Sequence, residues 1–208
     1  MISPNKEQSH ISKQVATNRL VVYVFIDASN LWQAQKAKGR FLDLAKLKRH
    51  LTVCYKANDL KVYYYTAFPK EGTREYSTDA KHKFFTYLKK GLGFIVRKKE
   101  LKQIKVTTDL GTIIEEKGNM DVEMTIDAVN LINKYNMAIL FTGDSDFLSL
   151  VTYMKTREKK VYIYSTQNNV SSELRTGGDG YIDILKINED IWRNEVRHRE
   201  QKQKTTLD

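Results

Sequence analysis

A three-layer α/β fold with a central, mostly parallel sheet is what this sequence predicts, and three observations predict it. Unbroken apolar runs such as "LVVYVFI" and "MAILF" read as strands buried on both faces, the signature of parallel sheets. These runs alternate with stretches of helical spacing, the βαβα order that builds such a sheet with helices on both sides. A chain of 208 residues buries one substantial core, so a single domain is expected.

The elements follow in order. Residues 1–19 are polar and aperiodic and read as a loose N-terminal arm. "LVVYVFIDASN" opens the folded part as a central strand running into a loop. "FLDLAKLKRHLTV" has helical spacing. "LKVYYYTAF" is a second strand, rich in residues that suit a pleated surface. "STDAKHKFFTYLKKG" reads as a helix, with Ser77 or Thr78 as cap and Gly91 as stop. "GFIVRKKE" is a third strand, and "LKQIKV" a short strand or part of a ribbon. "GNMDVEMTIDAVNLINKYN" is a helix approached by a loop. "MAILFTG" is a fourth strand, "DFLSLVTYMKTRE" the next helix and "KKVYIYST" a fifth strand. "SSELRTGGDGYIDIL" reads as a helical or irregular coda. The domain is drawn over 20–187, and 188–208 is set apart as a charged C-terminal tail.

Composition narrows the function. The formal net charge is +10 and the sequence pI about 9.5, which favours polyanions such as nucleic acid. No window approaches the roughly eighteen continuous apolar residues of a membrane span. The opening residues lack the apolar core of a signal peptide, so the expected location is cytoplasmic, away from membranes. Cys54 is the only cysteine, which excludes an internal disulfide and a cysteine-based zinc cluster. In "LTVC" it reads as a small buried hydrophobe.

Against this basic background the acids gather. Asp27 follows the first strand, and Asp144 and Asp146 follow the fourth, in "LFTGDSDF". Ligands collect beyond the carboxyl ends of parallel strands, so neighbouring strands would deliver all three into one crevice. Asp121, at the start of the helix before the fourth strand, adds a fourth carboxylate. Like charges this close oppose one another unless a cation relieves them. Hard oxygen ligands without cysteine or histidine suit Mg2+ or Mn2+. That is the equipment of a metal-dependent phosphodiesterase. Asp127 lies six residues beyond Asp121, off its helical face, and reads as second shell, helix-surface charge or ligand. Read alone, "TGDSDF" is equally a turn in which Asp146 caps the next helix. The glycine-rich fingerprint of a dinucleotide site is absent, as is the P-loop pattern. A phosphoaspartyl nucleophile after the first strand suits the Asn30 and "TGDSDF" placement less well.

These residues together resemble the NYN domain, in its LabA-like bacterial branch, within the PIN-like nuclease superfamily. The resemblance spans residues 20 to about 187 and rests on three elements in order. "FIDASN" supplies Asp27 and Asn30. "KGNMDVEMTIDAV" supplies Lys117, Gly118, Asp121 and Asp127. "TGDSDF" supplies Thr142, Gly143, Asp144, Asp146 and Phe147. One departure stands out: Asn119 and Met120 occupy the place of a single family residue before Asp121.

The resemblance implies a Rossmann-like, PIN-like fold and a metal-dependent ribonuclease. In that reading a metal-activated water hydrolyses phosphodiester bonds of single-stranded RNA. Asp27, Asp121, Asp144 and Asp146 hold Mg2+ or Mn2+, and Asn30 orients a water or phosphate or bonds Asp27. Thr142 or Ser145 donates to phosphate or closes a local turn. The alternative is a non-catalytic RNA-binding or regulatory interaction module that retains an acidic metal site. RNA is the expected partner, and a homodimer is compatible with the exposed aromatics. Arg97, Lys98, Lys99, Lys102 and Lys105 form a basic run suited to backbone phosphates or to edge-strand protection. Lys117 is a backbone contact or a surface charge. Trp32 is a base platform or a subunit contact, whereas most tyrosines of "VYYYTAF" and "VYIYST" read as core.

Overall fold

The computed structural model describes residues 19–69, 79–108 and 111–195. The N-terminal arm up to residue 18, the Ser77 or Thr78 cap and the tail from 196 onward lie outside them.

The chain alternates strand and helix as its pattern demands. In order they are β1 (Val21–Asp27), α1 (Ala28–Lys38), β2 (Arg40–Leu42), α2 (Leu44–Cys54) and β3 (Asp59–Phe68). Then come α3 (Asp79–Thr86), β4 (Ile95–Glu100), β5 (Lys102–Thr108), β6 (Gly111–Lys117) and α4 (Asp121–Asn130). The last are β7 (Met137–Phe141), α5 (Leu148–Thr156), β8 (Lys160–Ser165), α6 (Ser172–Gly177), β9 (Gly180–Asp183) and β10 (Trp192–Glu195).

The main sheet has six strands in the order β4-β3-β1-β7-β8-β9, and every neighbouring pair is parallel. β1 is central, with Val24 opposite both Val62 of β3 and Ile139 of β7. Strand periodicity then divides its side chains. Val22, Val24 and Ile26 enter one core with Leu31, Leu47 and Leu51. Tyr23 and Phe25 enter the other with Met124, Val151 and Leu174. Each fully buried side chain of this kind contributes roughly 1.5–3 kcal/mol against its exposed state. Helices thus cover both faces, giving the expected three-layer α/β fold. The buried Tyr63, Tyr64, Tyr65 and Tyr164 bear out the core reading of those tyrosines.

Several local readings change. "ASNLWQAQKAK" is a helix, not a loop, so Asn30 and Trp32 sit on α1. The Asp27 side chain caps its start, and Gly39 ends it at φ 70°, a conformation glycine adopts without steric cost. The stripe is weak, because only Asn30, Leu31 and Ala34 are buried, which hides the helix from periodicity. α2 begins late, at Leu44, because Asp43 caps it through bonds from the Ala45 and Lys46 amides. "GYID", read as coda, is the sixth strand β9. "LKQIKV" is one half of an antiparallel ribbon completed by β6, which lacks a strong apolar signal. Residues 188–195, read as the start of a tail, pack onto the domain instead. Ile191 and Trp192 are buried, and β10 pairs antiparallel with β2. Cys54 is exposed rather than buried, since it ends α2 beyond the buried Leu44, Leu47 and Leu51. Its sulfur lies 3.4 Å from His50 Nε2. Among the described residues, no helix is long and apolar enough to cross a membrane.

Candidate active site

Asp27 is the last residue of β1, and Asp144 stands just past the end of β7 beside it, where Ile26 faces Phe141. Both leave the carboxyl edge of the sheet, where strand ends open onto loops. Asp27 faces an ordered local network. The Ser29 amide and hydroxyl donate to its two oxygens, each at 2.8 Å. Burial pushes its carboxyl above the ordinary value, the Ser29 bonds pull it back, and the Asp144 charge pushes it up again.

Asp121 opens α4, whose first turn is capped by no side chain. Its carboxyl is pushed up to about 6, first by burial and then by the charges of Asp27, Asp144 and Asp146, with Lys99 opposing. Asp121 therefore feels the other three carboxylates, and Asp27 feels Asp144. Asn119, half of the two-residue spacer before Asp121, donates its amide to Asp121 Oδ2. Met120, the other half, is buried in the core with Met124. The departure in spacing is thus absorbed by one anchored and one hydrogen-bonding residue.

Asp144 caps the short turn Ser145–Phe147 by accepting from the Asp146 amide at 3.0 Å. The capping residue is Asp144 rather than Asp146, and Asp146 stands exposed in the first turn. Thr142 is fully buried and accepts from the Asp144 amide at 3.2 Å, the local turn bond. Ser145 is exposed. Gly143 is required by contact: a Cβ there would lie 2.3 Å from the Asn169 carbonyl oxygen and 2.7 Å from Ser165 Oγ.

Asn30 acts on Asp27 through its backbone amide, while its side chain turns elsewhere. It is buried, its Oδ1 accepts from Ser165 Oγ at 2.8 Å, and its Nδ2 donates to the Tyr164 carbonyl at 3.4 Å. Its side-chain amide ties α1 to β8. Asp127 is likewise drawn away. Arg97 grips it through Nε at 2.9 Å and Nη2 at 3.3 Å, and the Tyr65 hydroxyl donates at 3.0 Å. These bonds anchor α4 to β3 and β4.

The basic run divides by partner. Arg97 serves Asp127, Lys99 pairs with Glu123 at 2.8 Å, and Lys117 pairs with Glu115 at 3.3 Å. Lys98 lies over the rings of Phe68 and Phe85. Lys102 and Lys105 are exposed on β5. Trp32 is exposed beside Asp27, in the wall of the same cleft. Sequence reasoning missed Ser29, Asn119 and Ser165. Ser29 was signalled by its two-residue spacing from Asp27, the spacing of a side-chain turn. Ser165 was signalled as a polar residue ending an apolar strand.

The donor set suits a hard divalent cation: carboxylate oxygens only, with like charges raising Asp121 in its absence. Among the described residues no three such side chains are drawn into a finished ligand cage. Ser29 holds Asp27 and Asn119 holds Asp121, bonds that leave each carboxylate further lone pairs.

The sequence and fold have known relatives. A family described as the NYN domain matches residues 21–185. The Low amplitude and bright protein LabA of Synechococcus elongatus is 27% identical over 172 residues, covering 83% of this chain and 88% of that protein. The crystal structure of a protein of unknown function from Vibrio parahaemolyticus aligns at a TM-score of 0.65 and 23% identity, covering 86% of this chain and 99% of the other. That last likeness speaks for the fold alone. The family match takes in every element that carries the acidic residues, from β1 through α4 to the turn after β7, and the chain accordingly belongs to the NYN domain family, as a LabA-like member of the PIN-like nuclease superfamily.

Proposed function

We propose that this protein is a metal-dependent ribonuclease that hydrolyses single-stranded RNA. The observation that carries the reading is placement: Asp27 ends β1, Asp144 and Asp146 follow the neighbouring β7, and Asp121 lines one cleft with Asp27. A basic chain that concentrates carboxylates at one point supports a site that needs a cation to meet a polyanion.

Asp27, Asp121, Asp144 and Asp146 are the residues that would hold Mg2+ or Mn2+. When bound, such an ion neutralises charge at the phosphoryl group and acidifies a water. The chain's own residues set the geometry. Ser29 fixes the Asp27 carboxylate, the turn at Asp144 fixes that carboxylate, and Asn30 locks α1 against β8 behind them. Among the described residues no histidine stands with these groups to take a proton from a 2′-hydroxyl. Water is then the nucleophile, the 3′-oxygen departs, and the product carries a 5′-phosphate. Single strands are favoured because, among the described residues, no element is shaped to span a duplex groove.

The test is an end-labelled RNA incubated with manganese or magnesium, with and without chelator. Wild type is expected to cut, and Asp27→Asn and Asp144→Asn to lose at least about 100-fold in rate, the scale of removing charge stabilisation at a reacting centre. Equal cleavage by wild type and both variants, or products ending in 2′,3′-cyclic phosphate, would reject the assignment.

A second reading is favoured by the bonds that occupy Asp27 and Asp121. A protein whose acids remain tied to Ser29 and Asn119 binds RNA without cutting it, or serves as a regulatory module. It would retain RNA in chelator and leave its length unchanged.

A further inference from the structure

Beside the acidic cluster lies a cleft of about 1100 Å³, and Asp27 and Asp121 line one part of it. Its remaining walls are unusually aromatic. Trp32 and Phe41 form one side, with ring centroids 6.4 Å apart, and both are 42% exposed. Phe84 also lines it, 38% exposed, with its ring edge-on to Tyr64 at 6.0 Å and 6.0 Å from Phe85. Phe85 in turn meets Phe68 at 6.3 Å. The exposed Lys98 places its ammonium 5.3 Å and 5.6 Å from the centres of those last two rings, joining a cation to the aromatic wall.

Exposed rings are costly to leave in water, and contiguous ones mark a binding surface. Here they are continuous with carboxylates suited to phosphate chemistry and bordered by a cation. A strand of unpaired nucleotides has that pattern in complement: flat apolar bases and anionic phosphates. We propose that the cleft between Trp32–Phe41 and Phe84 is a base-stacking channel that receives the nucleotides flanking the scissile phosphate of a single-stranded RNA. The identification of the strand as RNA rests on the ribonuclease reading above. The stacking surface gives affinity with little base preference, since every base presents a π face. Lys98, unlike Arg97 and Lys99 with their carboxylate partners, lies over two of the rings that line this channel.

The experiment measures fluorescence anisotropy of a 5′-labelled oligoadenylate of about ten nucleotides, the footprint scale of a small single-strand site. EDTA prevents cleavage during the titration. The comparison probe is an abasic ribose-phosphate oligomer of equal length and charge. Wild type is expected to hold the oligoadenylate at least about tenfold more tightly than the abasic oligomer, and Trp32→Ala with Phe84→Ala to lose that difference. The ring-conserving pair Trp32→Phe with Phe84→Tyr is expected to keep it. It also guards against misfolding, as does the exposure of both positions. Manganese is then added to a parallel cleavage assay. Cleavage of RNA with wild-type affinity in the alanine variant overturns the channel and leaves the ribonuclease standing. Lost affinity in that variant, with no cleavage by wild type, supports the channel and removes the ribonuclease. A wild type that prefers neither oligomer, but is a dimer that the alanine variant splits, overturns the channel in favour of a second copy as occupant.

Discussion

The carboxamide oxygen of Asn30, on α1, accepts a hydrogen bond of 2.8 Å from the Ser165 hydroxyl at the end of β8, and both residues are buried. This bond crosses from the helix that Asp27 caps to the strand end beside which Gly143 passes. Removing one partner strands the other without water, which costs about 2 kcal/mol for a buried neutral group. Asn30→Ala should therefore lower the urea midpoint clearly. Asn30→Ala combined with Ser165→Ala should cost less than the two single changes together, by about 1 kcal/mol. Urea unfolding of the four proteins of this cycle decides it. Additive losses would show that the bond does not couple α1 to β8.

Arg97 and Asp127 form a two-point ion pair with Tyr65 as a further donor, joining α4 to β3 and β4. Asp127→Asn should leave manganese affinity within about twofold of wild type while lowering stability. The stability loss should be about 1 kcal/mol, because the half-exposed guanidinium is screened by solvent. Calorimetric titration with manganese and urea unfolding measure the two quantities. A tenfold loss of manganese affinity would return Asp127 to the ligand set.

Asp121 gives the stability a pH dependence whose sign follows from its raised carboxyl, about 6 in the folded protein against 3.8 for the free group. The folded state holds this proton more tightly than the unfolded chain does. The corresponding stability is fully present below pH 3.8 and is lost as pH rises through about 6. With EDTA present, Asp121→Asn should therefore raise the melting temperature at pH 8 and change it little at pH 3.5. Manganese should reverse the gain by stabilising the wild type alone. A variant melting below wild type at pH 8 in chelator would contradict the uncompensated charge.

The apolar runs determined the sheet from sequence alone, since a strand buried on both faces has no polar position to spare. "VVYVFI", "MAILF" and "KVYIYS" accordingly stand side by side as β1, β7 and β8. The places of Asp27 and Asp144 were equally legible, because Asp27 follows such a run at once and Asp144 after only Thr142 and Gly143. Tertiary structure alone decided what lies between the runs. α1 buries too little to show a period, and its boundaries are set by the Asp27 cap and Gly39. β9 and β10 are short and gain their identity only from the edges they cover, β8 and β2. Side-chain partners were hidden for the same reason. Arg97 reaches Asp127, and Asn30 reaches Ser165, across 30 and 135 residues. Motif spacing sees only neighbours along the chain, whereas hydrogen bonds and ion pairs are made between groups that packing brings together.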